Sequence, residues 1–209
     1  MNYDVVIVAS GQSKRAKLGY SKTLFKLKNK KTVLEAAASS FIEDDDCKNI
    51  IVVTNPDCFD LVFKNEKVKI TAGGKERRDS TCNGLKLVES EYVLVHDAAR
   101  PFLDKRAVEE LKKKVEETGA AILGHFVVDT VKLVKDGKIE KTIDRKCTIL
   151  AETPQGFKTD LLRSCYENCE DINFTDEASL VESLGYDVYV VVDKYNNAKL
   201  TIPEDFKNI

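Results

Sequence analysis

The chain has 209 residues, 43 % hydrophobic and 33 % charged, which fits one sizeable globular domain and excludes a disordered segment. Lys and Arg total 33 against 35 Asp and Glu, a net charge of −2 that offers no global basic excess for nucleic acid. With no apolar run near the membrane-spanning length of about 18 residues, neither a signal peptide nor a membrane span is expected. The six cysteines form no CxxC pair and no spacing matched to histidine, so reduced, mostly buried thiols in a cytoplasmic protein are expected.

Asp4–Ala9 (DVVIVA) is an almost continuous apolar run, as in a strand buried on both faces. A loop follows from Ser10 to Lys22, then a helix over Val33–Ile42 and a second buried strand over Asn49–Thr54. The run Glu43–Asp46 between them reads as a solvated loop. Helix Asp57–Phe63, strand Lys67–Thr71, helix Ser80–Val88 and strand Tyr92–His96 come next. Helix Lys105–Glu117 then leads into strand Ala120–Val127. This alternation predicts an α/β three-layer sandwich with a mostly parallel sheet, whose ligands bind beyond the carboxyl ends of the strands. At Thr130 the regularity breaks. TVKLVK, an Asp136-Gly137 turn and KIEKTI predict a polar β-hairpin, placed for packing on a partner or for covering a site. Helices over Lys158–Asn168 and Asp176–Leu184 and a strand over Asp187–Val192 complete the reading.

Three loops carry chemistry. In the first, Gly11 permits close backbone approach while Lys14, Arg15 and Lys22 supply charge, so it suits a phosphate or is a plain basic surface loop. It is neither a Walker A loop, since Tyr20-Ser21 separates Gly19 from Lys22, nor a dinucleotide fingerprint, since Ser13 replaces the second glycine. In the second, VHDAARP at a strand end, Asp97 can hold a metal ion or ribose hydroxyls and Arg100 can grip phosphate. The alternative there is an ordinary Asp turn. The third, AGGKERRDS, sets a glycine pair before a helix start, suited to a base or phosphate, or forms a turn capped by Asp79 or Ser80. His96 and His125 lie in strands and read as structural, and Cys165 and Cys169 as packing.

Taken together, and in this order along nearly the whole chain, the motifs resemble the 2-C-methyl-D-erythritol 4-phosphate cytidylyltransferase family. They are ASGQSKR from Ala9, SKT from Ser21, GGKERRDS from Gly73, VHDAARP from Val95, and the pairs Asp129-Thr130 and Asp144-Arg145. ETPQ from Glu152, TDE from Thr175, NAKLT from Asn197 and PED from Pro203 complete the set. The sequence departs from the family pattern at Ser13, Ala16, Ser21, Thr23 and Glu152.

The resemblance implies a Rossmann-like nucleotidyltransferase sandwich spanning 1–209, with a dimerisation arm at about 130–150. It implies cytidylyl transfer from CTP to the sugar-alcohol phosphate with Mg²⁺, and a homodimer with no nucleic acid or membrane partner. By position Arg15, Lys22 and Lys199 match the catalytic cations. Ala9, Ser10, Gly11, Gly73, Gly74, Lys75, Ser80 and Asp97 match the CTP site, with Asp97 as the candidate metal ligand. Asp97, Arg100, Thr130, Arg145, Thr153 and Thr175 match the acceptor site, Thr130 and Arg145 reaching the neighbouring subunit. Three other readings compete: a transferase for another polyol phosphate such as ribitol 5-phosphate, a non-catalytic nucleotide-binding regulator, and a dehydrogenase. The Ala98-Ala99 pair opposes the first, the three cations the second, and the missing dinucleotide fingerprint the third.

Overall fold

The computed structural model describes residues 1–11, 16, 19–169, 174–207 and 209. Nine strands are present among them: β1 (Tyr3–Val8), β2 (Cys47–Thr54), β3 (Val68–Ala72), β4 (Tyr92–Asp97), β5 (Ala120–Phe126), β6 (Lys132–Lys135), β7 (Lys138–Thr142), β8 (Ile149–Lys158) and β9 (Tyr189–Val192). Five helices accompany them: α1 (Val33–Ile42), α2 (Arg77–Leu85), α3 (Lys105–Thr118), α4 (Thr159–Asn168) and α5 (Glu177–Ser183). Seven strands form one sheet in the order β3-β2-β1-β4-β8-β5-β9, parallel except for β8, which runs against both neighbours.

Alternation along β1 explains the layers. Tyr3, Val5 and Ile7 pack on one face with Leu34 and Phe41 of α1 and Leu111 of α3. Val6 faces the other way, toward Leu85 of α2, Leu162 of α4 and Leu180 of α5. The expected three layers are therefore present, with the chain leaving β1 toward β2 on one side and β4 on the other. That reversal makes the β1/β4 boundary the switch point at which open α/β sheets bind ligands.

Three local readings are corrected, and one strand is added that the sequence did not suggest. Residues 149–158 form β8, a central strand that Pro154 and the polar residues around it disguise. Here β8 bulges against β5: Ile122 pairs with Gln155 and Gly124 with Ala151, so extra β8 residues are accommodated where Pro154 has no N–H to give. The expected helix at 57–63 is a 3-10 turn over Pro56–Leu61. Helix α2 starts at Arg77, not Ser80, because Asp79 accepts the Glu76 N–H (3.1 Å) and closes the first turn earlier. The 43–46 run is no mere solvated loop. Asp44 and Asp46 hold the buried ammonium of Lys112 at 2.9 and 2.7 Å, and Tyr3 donates its hydroxyl to Asp44.

Strands β6 and β7 form a separate two-stranded hairpin, exposed along both strands, with Leu133, Val134 and Ile139 among its exposed side chains. Asp136 and Gly137 both take positive φ (48° and 77°), the geometry of a tight two-residue hairpin turn. No described helix is long and apolar enough to cross a membrane.

Candidate active site

A cavity of about 580 Å³ opens at the switch point, floored by the ends of β1 and β4. Of the residues singled out from sequence, Ala9, Ser10, Gly11, Lys22, Gly74, Lys75, Ser80, Asp97 and Lys199 line it. Arg15, with Ser13 and Lys14, lies outside the described residues.

The wall made by the first and third loops is a hydrogen-bonded seam. Ala9 N–H donates to Val53 O at 2.8 Å and Gly73 N–H to Thr54 O at 2.9 Å, fixing both loops to β2. Ser80 Oγ accepts from Gly74 N–H (3.0 Å) and donates to Glu76 O (3.1 Å), so Ser10, 2.9 Å away, supplies the proton of their mutual bond. Glycine is required at Gly73, where a Cβ would collide with that of Ser10. The seam leaves backbone and small side chains facing a ligand, a surface suited to a flat ring.

The opposite side is charged. Lys22 Nζ donates to Leu200 O at 2.7 Å, and Lys199 Nζ, on the adjoining residue, pairs with Asp97 Oδ2. Two lysines from opposite ends of the chain thus line one cavity, Lys22 tied to the carbonyl of the residue after Lys199. Arg77 lies 3.8 Å from Asp97 Oδ1, and its guanidinium forks onto the fully buried Glu177 carboxylate with two bonds of 2.7 Å. Burial alone would push the Asp97 carboxyl up, but the Lys199 and Arg77 charges outweigh it and bring it down to about 2. Asp97 is therefore an anion throughout the working pH range. Burial likewise opposes the Arg77 charge, and Glu177 overcomes it, holding the guanidinium above its ordinary value.

Gly73, Arg100 and Thr153 do not line this cavity, Gly73 standing behind Ser10 in the seam. Arg100 is buried, and Thr153 Oγ accepts from Asp97 N–H at 3.0 Å. Thr175 is exposed, and Thr130 and Arg145 sit exposed at the base of the hairpin, where Arg145 donates to Val128 O at 2.8 Å. Asn55, Glu76 and Arg77 also line the cavity, and sequence reasoning did not single them out; Ala99 lines it too, where the sequence weighed it only in the choice of acceptor. Arg77 stands inside GGKERRDS and its partner Glu177, 100 residues on, ends the TDE motif, but nothing in the sequence pairs the two.

A cation site was expected at Asp97. Among the described residues no group of three or more His, Cys, Asp or Glu could cage a metal. One permanently ionised carboxylate at a cavity fits Mg²⁺ only as the companion of a bound triphosphate, which would complete its oxygen shell.

The profile of the 2-C-methyl-D-erythritol 4-phosphate cytidylyltransferase family matches residues 3–208. The chain belongs to this family. It is 40 % identical to the cytidylyltransferase of that name from Bacillus licheniformis, over 98 % of this chain and 93 % of the other. With the Clostridioides difficile protein of the same name it shares 37 % identity over 97 % and 90 %. The crystal structure of the Francisella tularensis cytidylyltransferase superposes with a TM-score of 0.85 at 29 % identity, covering 99 % of this chain and 97 % of that one. The Thermus thermophilus structure gives 0.81 at 28 % identity, covering 99 % and 96 %. Membership in the family makes the chain a nucleotidyltransferase on a Rossmann-like sandwich.

Proposed function

We propose that this chain transfers the cytidylyl group of CTP to 2-C-methyl-D-erythritol 4-phosphate, releasing pyrophosphate and 4-diphosphocytidyl-2-C-methyl-D-erythritol. The observation that carries the reading is the coincidence of a family match over residues 3–208 with a switch-point cavity where Lys22, Lys199 and Asp97 converge. An acceptor phosphate oxygen attacks the α-phosphorus in line. The bond from that phosphorus to the bridging oxygen breaks, and pyrophosphate takes the electron pair. The attacking group is already anionic at neutral pH, so the protein has no proton to remove and must position ligands and balance charge.

Lys22, Lys199 and Arg15 are the cations that face the charge gathering at the α-phosphorus. The fixed placement of Lys22 and Lys199 matters as much as their sign, since a donor held in place needs no reorganisation during the reaction. The seam of Ala9, Ser10, Gly11, Gly73, Gly74 and Ser80 receives the cytosine and ribose, with Lys75 at its edge. Asp97 orients the acceptor and steadies Lys199. Mg²⁺ bound by Asp97 and the triphosphate would supply charge neutralisation on the phosphates.

The whole chain serves as one cytidylyltransferase domain, acting in the cytoplasm as a homodimer. An isolated two-stranded hairpin is marginal in water, and this one exposes Leu133, Val134 and Ile139, which favours its role as an arm laid on a second subunit. There Thr130 and Arg145 would meet the acceptor bound by the neighbour, alongside that site's Thr175. The test is pyrophosphate release with Mg²⁺, from CTP with methylerythritol phosphate and with ribitol 5-phosphate side by side. Release only when CTP and methylerythritol phosphate are both present is expected. Equal or faster turnover of ribitol phosphate overturns the acceptor assignment, and CTP binding without turnover overturns the enzymatic one.

A further inference from the structure

Arg100 follows the cavity residues Asp97 and Ala99 in the chain, yet its guanidinium is directed into the protein. Its Nη1 donates to Asn197 O at 2.6 Å and lies 3.6 Å from Glu152 Oε1, while Nη2 faces Ala151 O at 3.5 Å. Asn197 is buried and donates from Nδ2 to Thr153 O at 2.8 Å and toward Glu152 Oε2 at 3.4 Å. His125 Nδ1 closes the set, 2.9 Å from Glu152 Oε1. Three of these bonds meet at Asn197, the first residue of a 197–200 segment that has no regular secondary structure of its own. The backbone adds one tie there, Leu200 N–H to Ala99 O at 2.8 Å. Lys199 lies two residues beyond Asn197 and reaches Asp97.

Stability does not account for this arrangement. A buried ion pair contributes little beyond what apolar side chains of the same volume would give. Arg100 Nε and Asn197 Oδ1 also lack hydrogen-bond partners among the described residues, a cost an apolar core would avoid. What the network does fix is direction: a segment without helix or strand is anchored at Asn197, so the side chain two residues on enters the cavity.

We propose that Arg100 and Glu152 are positioning residues for Lys199, holding the 197–200 segment in register with the end of β4, and that Arg100 does not bind the acceptor phosphate. The inference rests on the cavity being the cytidylyl-transfer site. A misplaced catalytic group lowers kcat, whereas a lost phosphate ligand raises the acceptor KM.

The experiment compares wild type, Arg100→Ala, Glu152→Gln, the double variant of these two, and Arg100→Met with Glu152→Leu. The last pair is uncharged and of similar volume, so it folds where Arg100→Ala would strand a buried carboxylate. Arg100→Ala and the Met/Leu pair should lose about tenfold to a hundredfold in kcat with acceptor KM within about twofold. Glu152→Gln should move kcat the same way by less, and the Ala/Gln double variant should be no worse than Arg100→Ala, as expected for one chain of contacts. In the Met/Leu pair the Leu200 amide should exchange with solvent faster than in wild type, a readout that needs no turnover. Acceptor KM raised about tenfold with kcat kept makes Arg100 a phosphate ligand and overturns the proposal. So does unchanged kcat or unchanged Leu200 exchange in the Met/Leu pair. An inactive wild type would count against the assigned reaction, leaving the exchange measurement to judge the anchoring.

Discussion

His96 is a fully buried imidazole whose hydrogen bonds dictate its protonation. Its Nε2 lies 3.2 Å from Arg100 O, which can only accept, so Nε2 carries the proton. Its Nδ1 then accepts from Thr153 Oγ at 3.1 Å, and Thr153 in turn accepts Asp97 N–H. One neutral tautomer thus seats the backbone of the cavity anion. Burial pushes the imidazole down to about 4 from its ordinary 6.5, despite the opposing pull of Asp97. The unfolded chain binds this proton first as pH falls, so stability is complete above about 6.5 and declines toward 4, by roughly 3 kcal/mol from this residue. Urea midpoints measured from pH 7 to 4.5 should therefore fall. His96→Asn should start lower, having lost the Arg100 contact, and vary less over that range. Equal pH slopes in the two proteins would show that His96 is not the titrating group. At this scale the sequence was legible where charge stood beside a strand end, as at Lys22 and Asp97. It was illegible where a side chain's direction depends on a distant partner: Arg77 needs Glu177, and the inward turn of Arg100 needs Glu152 and Asn197.

Elements repeat the same lesson. Strands β1, β2 and β4 announce themselves because both faces are buried and the runs are apolar, whereas β8 places Glu152, Thr153 and Gln155 in the interior, where each finds a polar partner. No period in the sequence reveals a buried strand whose polar groups are satisfied by loops elsewhere. Helix α2 poses a comparable problem, since its composition carries almost no apolar stripe, yet it lies tightly on the sheet. Gly84 makes that possible: a Cβ there would stand 2.5 Å from Val6 Cγ1 and 3.0 Å from Val53 Cγ2. Alanine in a helix interior gains about 1 kcal/mol over glycine, but overpacking costs about 1–3 kcal/mol, and both contacts here belong to the rigid sheet. Gly84→Ala should therefore lower the urea midpoint while leaving the m-value unchanged. A raised midpoint would mean that α2 lifts from the sheet at little cost. Because α2 starts just after the glycine pair, at Arg77, such a lift would also be read as weaker CTP binding.

At the scale of the whole molecule the question is which chain supplies each part of the active site. Lys22 and Lys199 line one cavity within one chain, whereas Arg145 stands at the base of the exposed arm. Under the arm-exchange arrangement, Lys22 serves its own site and Arg145 the neighbour's. Lys22→Ala removes one donor to the transition state and should cost about a hundredfold or more in kcat, with the fold retained. Arg145→Ala should be comparably impaired as a homodimer. Unfolded together and refolded, the two variants form mixed dimers in which one site carries both lesions and the other carries none. Random twofold pairing makes about half the dimers mixed, each with one intact site, so about a quarter of wild-type activity should return. Mass spectrometry of the refolded mixture establishes that mixed dimers are present. If they form and the activity stays at the level of the two parents, Arg145 acts within its own chain and the arm does not complete the neighbouring site. If only monomers are recovered, at concentrations where wild type turns over, no second chain is needed for the chemistry.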